Sequence, residues 1–335
     1  MMNFPFSLMM SFLVVVGSLI SVSSNSWVGM WSGLELNMLC FIPLLVRLVS
    51  FQSVESGVKY FLVQSFGSVF FLFSGLMLDG FVFAFVYLGF YISLLFSFCL
   101  KLGVFPFHWW VPGVMGGMGW FSLFVLSTWQ KVAPFFLFLS FSEFVFLVLF
   151  FGALSSLIGG VGGLGQVNSR VLLAYSSISH LGWMVSIGFC SVFFSGVYFF
   201  FYFLGSSFVI ILLWDKDLFR VSQSFLVSSF LSFFFLFSLI SLAGLPPFSG
   251  FLGKVMGVFS ISFFFNSSMI VLILLIGSLF SLYFYLGMFF SFFFFSYFEG
   301  GESSVEVVKF VVIFFFFFFF YCVFFFFFDF FCLFF

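Results

Sequence analysis

Four ionisable residues stand in stretches that otherwise read as membrane-buried: Glu35, Lys101, Lys131 and Lys254. Glu35 lies in Trp31-Ser-Gly-Leu-Glu-Leu-Asn-Met38, near the middle of an apolar run over about 26–46. A charge at the bilayer centre costs at least ~2.5 kcal/mol on insertion scales, and such groups mark ion or proton paths and their counter-ions. A carboxylate beside a buried amine holds it protonated, and separating the two frees the proton. One acid and three amines can therefore make a proton relay. The competing reading is snorkelling, in which the lysine stem is buried and the amine reaches the headgroups. It suits Lys101 best, because that residue follows a long apolar run.

Two of the lysines adjoin helix breakers. Lys101-Leu-Gly-Val-Phe-Pro-Phe-His-Trp-Trp110 has Gly103 and Pro106 after its lysine, and Gly244-Leu-Pro-Pro-Phe-Ser-Gly-Phe-Leu-Gly-Lys254 has its break before the lysine. Proline removes a donor and frees a carbonyl that lipid cannot satisfy. Such backbone survives inside protein or beside a hydrated cavity, and interrupted spans at corresponding places in two halves point to the ion site of an inverted-repeat transporter. The plain alternative is a pair of proline kinks. His180, in Tyr175-Ser-Ser-Ile-Ser-His-Leu-Gly-Trp183, sits mid-span among hydroxyls, so a proton relay and a hydrogen-bonded structural role are both open to it. His108, at the broken end of its span, reads as interfacial.

The elements that must hold these groups are apolar helices. The chain of 335 residues is 64% hydrophobic and 6% charged, against about 25% charged in a soluble domain. Apolar runs of about 20 residues recur, each long enough to cross a bilayer. The expected fold is an all-α polytopic membrane protein of about eleven crossings, at roughly 4–23, 26–46, 59–78, 81–112, 119–139, 142–160, 168–189, 192–214, 225–264, 268–290 and 307–334. The fourth and ninth of these are discontinuous. The chain divides into a first half-repeat (about 1–139), a second (about 142–290) and a terminal helix (about 307–335).

Charge supports that count. Six of the nine Lys and Arg (Arg47, Lys59, Arg170, Lys216, Arg220 and Lys309) fall in even-numbered loops or beside them, and the other three are the buried lysines. The positive-inside rule puts the N-terminus and even loops on the cytoplasm-equivalent side, the matrix in a mitochondrion, and the C-terminus opposite. Most acids, Glu55 and Asp79 among them, read as solvated loop residues, and Asp329 reads as interfacial. Glu143 stands twelve residues after Lys131, about 18 Å along a straight helix, too far to pair with it directly.

Other signals are empty. The five cysteines form no C-x-x-C pair, so neither a disulfide framework nor a metal site is expected. Gly160-Val-Gly-Gly-Leu-Gly165 matches a dinucleotide-binding pattern in form but joins two spans rather than a strand and a helix. Net charge is −1, which suggests no nucleic acid. The N-terminus lacks the basic region of a signal or transit peptide. Phenylalanine, 75 residues, exceeds what packing demands and suits a compositionally biased genome such as an organelle's.

The segments Trp31–Pro43, Lys101–Pro112, Thr128-Trp-Gln-Lys-Val-Ala-Pro134, Leu172–Trp183 and Gly244–Lys254 run in order over about 26–255. Together they resemble the chain 2 family of NADH–ubiquinone oxidoreductase, respiratory complex I, in its mitochondrially encoded animal form. The resemblance implies an antiporter-like membrane-arm subunit, short of three N-terminal helices that bacterial relatives carry. It implies that Glu35 pairs with Lys101, that Lys131 is the central relay, and that Lys254 stands on the exit side. The chain departs from the family at Gly113, where relatives usually carry an acid, and at Gly253-Lys254-Val255, where they usually carry Pro-Lys-Trp.

The expected function is proton translocation through Glu35, Lys101, Lys131, His180 and Lys254, coupled to quinone reduction elsewhere in the complex. No cofactor is expected on this chain, since NADH, FMN, Fe–S clusters and ubiquinone belong to partner subunits. The expected partners are other membrane-arm subunits, neighbouring antiporter-like chains among them, and lipids, in the mitochondrial inner membrane. The alternative is a cation/proton antiporter, alone or in an Mrp-type complex. An inert scaffold leaves four costly ionisable groups unexplained.

Overall fold

A computed structural model describes residues 4–296, apart from 49, 81–83, 142–143, 216, 221–228, 247 and 266. The expected crossing at 307–334, Glu143, Lys216, Lys309 and Asp329 lie outside the described residues. The described chain forms α1 (Phe4–Ser23), α2 (Trp27–Leu45), α3 (Phe51–Gly80), α4 (Ala84–Leu102), α5 (Trp110–Met115), α6 (Trp120–Ser127), α7 (Trp129–Ser140), α8 (Val145–Gly162), α9 (Ser169–Gly188), α10 (Val192–Asp215), α11 (Ser229–Ala243), α12 (Ser249–Phe265) and α13 (Ser268–Ser296). Eight helical segments are long and apolar enough to cross a membrane by themselves, and the shorter apolar α4 and α12 belong to broken crossings. The protein is a multi-pass, all-helical membrane protein.

Its many serines are tolerated because they bond inward. Ser97, Ser155, Ser177 and Ser238, for example, each donate to a carbonyl three residues back in the same helix, so these hydroxyls are not left bare in an apolar setting. Small residues set the closest packing. A methyl group on Gly33 of α2 would lie 2.5 Å from Ser21 N of α1, and one on Gly159 of α8 would lie 2.5 Å from Ser179 N of α9. Those approaches hold the pairs α1–α2 and α8–α9 backbone to backbone. Helix α9, which carries His180, is buried on nearly every face, whereas α1, α3 and α13 present Phe12, Phe66 and Tyr283 outward.

The loops alternate as the crossing count requires. Arg170, at the start of α9, donates Nη1 to the Met118 carbonyl between α5 and α6. Its guanidinium stacks 4.5 Å from the Phe219 ring centroid, and Ser169 N donates to the Phe219 carbonyl (3.0 Å). Loops four, six and eight thus meet on one face. On the opposite face Trp27 packs on Phe141 (centroids 4.7 Å) and Phe138 on Phe189 (5.9 Å), joining loops one, five and seven. Phe146 at the start of α8 packs on Phe265 at the end of α12 (5.8 Å), which brings loop nine to that second face, so each broken segment crosses once.

Two boundaries differ from the expected ones. Helix α3 begins at Phe51 rather than near 59, and it carries Glu55 and Lys59 as an ion pair of 2.6 Å, half exposed, one helical turn apart. They are helix residues, because the i,i+4 pair lets the polar turns continue the apolar span. The crossing expected to be unbroken over 119–139 is split at Thr128 into α6 and α7. No Gly or Pro marks that break. Thr128 turns out of helical geometry (φ −115°, ψ −77°) and its hydroxyl bonds back to the Phe124 carbonyl at 2.6 Å.

Candidate functional site

The two expected breaks close in the same way. Gly103 follows α4 with φ +73°, and Gly244 follows α11 with φ +74°. Gly103 N and Val104 N both donate to the Cys99 carbonyl, and Gly244 N and Leu245 N both donate to the Ile240 carbonyl. This is the Schellman ending of a helix, which needs a left-handed residue that glycine supplies without Cβ strain. Three residues further, Phe107 N returns to Val104 O as Phe248 N returns to Leu245 O.

Helix ends leave carbonyls without partners, and at each break side chains supply donors. Trp110 Nε1 donates to Leu100 O (3.0 Å) and Gln64 Nε2 to Lys101 O (3.2 Å). At the second break the donor is Lys254 itself, whose Nζ reaches Ala243 O at 2.6 Å. A cation is favoured there, at the negative end of the α11 dipole.

All three lysines are enclosed by protein, at 7% (Lys101), 4% (Lys131) and 8% (Lys254) exposure. The Lys101 stem runs over Gly67 of α3, and its amine lies 5.9 Å from the Phe71 ring centroid. Lys131 follows the Thr128 break directly. Its Nζ contacts Ser177 O at 3.4 Å and faces the Tyr202 ring at 5.5 Å, a cation–π arrangement. The carbonyl of Ser127, at that break, accepts from Tyr202 OH at 3.2 Å.

Lys101 and Lys131 line one cavity of about 20 Å³, with Asn37, Tyr60, Gln64 and Gln130 as its other polar walls. That volume admits water. Gln130 spans it: Nε2 donates to Asn37 Oδ1 at 2.8 Å, and Oε1 accepts from Tyr60 OH at 3.3 Å. Glu35 is half-buried on α2, within electrostatic reach of Lys101 and Tyr60, but no ion pair joins it to Lys101 among the described residues.

His180 is buried beyond Lys131. Its Nδ1 is 2.9 Å from Tyr198 OH, and its ring is 5.1 Å from that of Tyr202. Lys131 and Lys254 both act on it electrostatically. Tyr198 packs in turn on Gly253, where a methyl group would lie 2.5 Å from Cδ2. His108 stands apart at the first break, stacked on Phe105, with a buried Nδ1 that has no hydrogen-bond partner among the described residues.

The structure thus brings Lys101 to one cavity with Lys131, and sets Lys131 and His180 both against the Tyr202 ring. Lys254 stands at the second break and His108 at the first. Sequence reasoning passed over Asn37, Gln64, Gln130, Tyr60, Tyr198 and Tyr202. The three amides had a signal: each is a neutral polar group inside an apolar span, the same kind of oddity as the lysines.

Matched broken spans with enclosed lysines define an antiporter-like membrane protein. The profile of the NADH:quinone oxidoreductase/Mrp antiporter transmembrane family matches residues 24–281. NADH-ubiquinone oxidoreductase chain 2 of Anopheles gambiae is 39% identical over 257 residues, covering 72% of this chain and 73% of that one. The same-named protein of Pisaster ochraceus is 35% identical over 275 residues, covering 77% and 76%. The fold is shared with a chain of respiratory complex I from Thermus thermophilus (TM-score 0.78, 24% identity, 89% of this chain and 72% of that one). It is also shared with a chain of the Mrp complex from Dietzia sp. (TM-score 0.72, 17% identity, 88% and 61%). The chain belongs to the NADH:quinone oxidoreductase/Mrp antiporter family and, within it, to the NADH-ubiquinone oxidoreductase chain 2 group.

Proposed function

We propose that this chain is a core membrane subunit of a proton-pumping NADH:ubiquinone oxidoreductase. In this reading protons move laterally from Glu35 and Lys101, through the amide-lined cavity to Lys131, past His180 to Lys254, driven by quinone reduction in other subunits. The observation that carries it is the shared cavity: two lysines thirty residues apart face one polar space closed by Gln130. Glu35 makes no ion pair with Lys101 among the described residues, so in this reading no fixed pair has to break for the proton to move.

The same reading assigns the chain two inverted half-repeats, about 1–139 and about 142–290, and a terminal helix at about 307–335. The matching Schellman breaks at Gly103 and Gly244 support that division, as do the glycine-packed pairs α1–α2 and α8–α9. NADH, FMN, Fe–S clusters and ubiquinone are assigned to partner subunits, and the neighbours to other membrane-arm chains and lipid. The membrane is the mitochondrial inner membrane, with the basic even-loop face and the N-terminus in the matrix and the C-terminus in the intermembrane space. An Mrp-type antiporter uses the same kind of parts, but the curated relatives at 35–39% identity carry the oxidoreductase name.

The test replaces Lys131 by Met and Glu35 by Gln in the assembled complex. Loss of NADH-driven proton pumping at normal assembly is expected in both. Unchanged pumping in assembled complex sinks the reading, and purification of the chain without NADH dehydrogenase activity moves it to the antiporter.

A further inference from the structure

Between His180 and Lys254 no lysine or histidine stands among the described residues. Tyr198 of α10 stands there. Its hydroxyl is 2.9 Å from His180 Nδ1, and its ring rests on Gly253, the residue before Lys254. The side chain is 3% exposed, so its hydroxyl has no bulk water to turn to. A cavity of about 10 Å³ adjoins it, lined by His180, Tyr198, Tyr202, Ser241, Ser249 and Gly253. That is about the space of one water. The Ser249 hydroxyl, just past the second break, is buried without a partner among the described residues, and a buried polar group of that kind is commonly satisfied by ordered water.

The geometry points to Tyr198 as the proton-carrying link between His180 and the second break, an inference that rests on the relay proposed above. A hydroxyl both accepts and donates. As a proton leaves the His180 imidazolium at Nδ1 for the Tyr198 oxygen, the Tyr198 hydroxyl proton passes to a water in the cavity beside Ser249, and from that water a proton goes on to the neutral Lys254 amine, which lies outside the cavity wall at the same break, against the Ala243 carbonyl. One N–H and two O–H bonds break, two O–H and one N–H form, and the phenol ends neutral. The closeness of ring to backbone at Gly253 holds the hydroxyl in register with His180, since any Cβ there would push the ring away.

The test uses the assembled complex in sealed vesicles, with NADH-driven proton pumping and its H2O/D2O rate ratio as readouts. Lys131→Met is measured beside Tyr198→Phe, which keeps the ring and removes the hydroxyl. If Lys131→Met pumps normally, the relay itself fails and this inference falls with it. If Lys131→Met is inactive, Tyr198→Phe is expected to pump at least about tenfold more slowly at normal assembly, with a larger D2O effect, because a positioned proton-transfer group is lost. Pumping at the wild-type rate overturns the inference alone, as does a loss proportional to missing complex with an unchanged D2O effect. Ser249→Ala is the milder second variant, expected to slow pumping several-fold with the D2O effect raised. A wild-type rate there overturns the water-linked step.

Discussion

Lys254 Nζ donates a 2.6 Å hydrogen bond to the carbonyl of Ala243, across the break that separates their helices. That side chain satisfies a carbonyl at the end of α11, and in the proposed reading it also ends the proton path. The bond ties the state of the amine to the integrity of the break.

Lys254→Met is therefore expected to loosen the break as well as stop pumping. Leaving a buried carbonyl without its donor costs about 1–3 kcal/mol. Hydrogen–deuterium exchange over residues 240–255 should quicken in the variant, while exchange in α1 and α2 stays as it was. Unchanged protection around the break would show that the carbonyl has another partner.

Gly103 and Gly244 should resist alanine where Gly113 accepts it. Both breaks need positive φ, and a methyl group would lie 2.3 Å from Val111 Cγ2 at Gly103 and 2.8 Å from Lys254 Nζ at Gly244. Left-handed backbone alone costs an L-residue about 1–2 kcal/mol, before the clash is added. Gly113 has nothing within 4 Å of its would-be Cβ. Assembled complex on native gels should fall for Gly103→Ala and Gly244→Ala and hold for Gly113→Ala.

Asn37 and Gln130 should prove coupled. Their amides bond at 2.8 Å across the cavity between Lys101 and Lys131. A double-mutant cycle with Asn37→Ala and Gln130→Ala should return about 0.5–3 kcal/mol of interaction, as for contacting partners in one network. Pumping rates of the same variants should fall together rather than additively. Independent, additive losses would mean that the amide bridge plays no part in closing the cavity.

The Glu55–Lys59 pair offers the opposite case. It is half exposed and lies within one helix, and such pairs contribute only about 0.2–0.5 kcal/mol. Lys59→Ala should leave assembly and pumping within error of the parent, and a large loss would require a partner beyond this chain.

Much of this protein was legible in its residues because the bilayer leaves few choices. Apolar runs of span length had to be helices, since nothing else satisfies backbone in lipid. Gly103-Val-Phe-Pro106 and Gly244-Leu-Pro246 broke two of them where the breakers said they would. Glu35 and the three lysines announced themselves by the cost of burying a charge. Thr128 gave no such notice: its break has neither Gly nor Pro, and it exists because Tyr202 OH and the Thr128 hydroxyl take up the carbonyls Ser127 O and Phe124 O. The Tyr202 bond joins residues of separate spans, and local periodicity carries no record of which spans touch.

The same limit governs the site. Composition and spacing decided which groups are expensive, and so which residues to examine. Only the tertiary structure decided that Lys101 shares a cavity with Lys131, that Gln130 of α7 holds Asn37 of α2, that Tyr198 meets His180, and that Glu35 makes no ion pair with Lys101 among the described residues. The price of a buried charge is a property of one residue and its solvent, whereas its partner is set by how helices pack, through contacts between residues scores of positions apart.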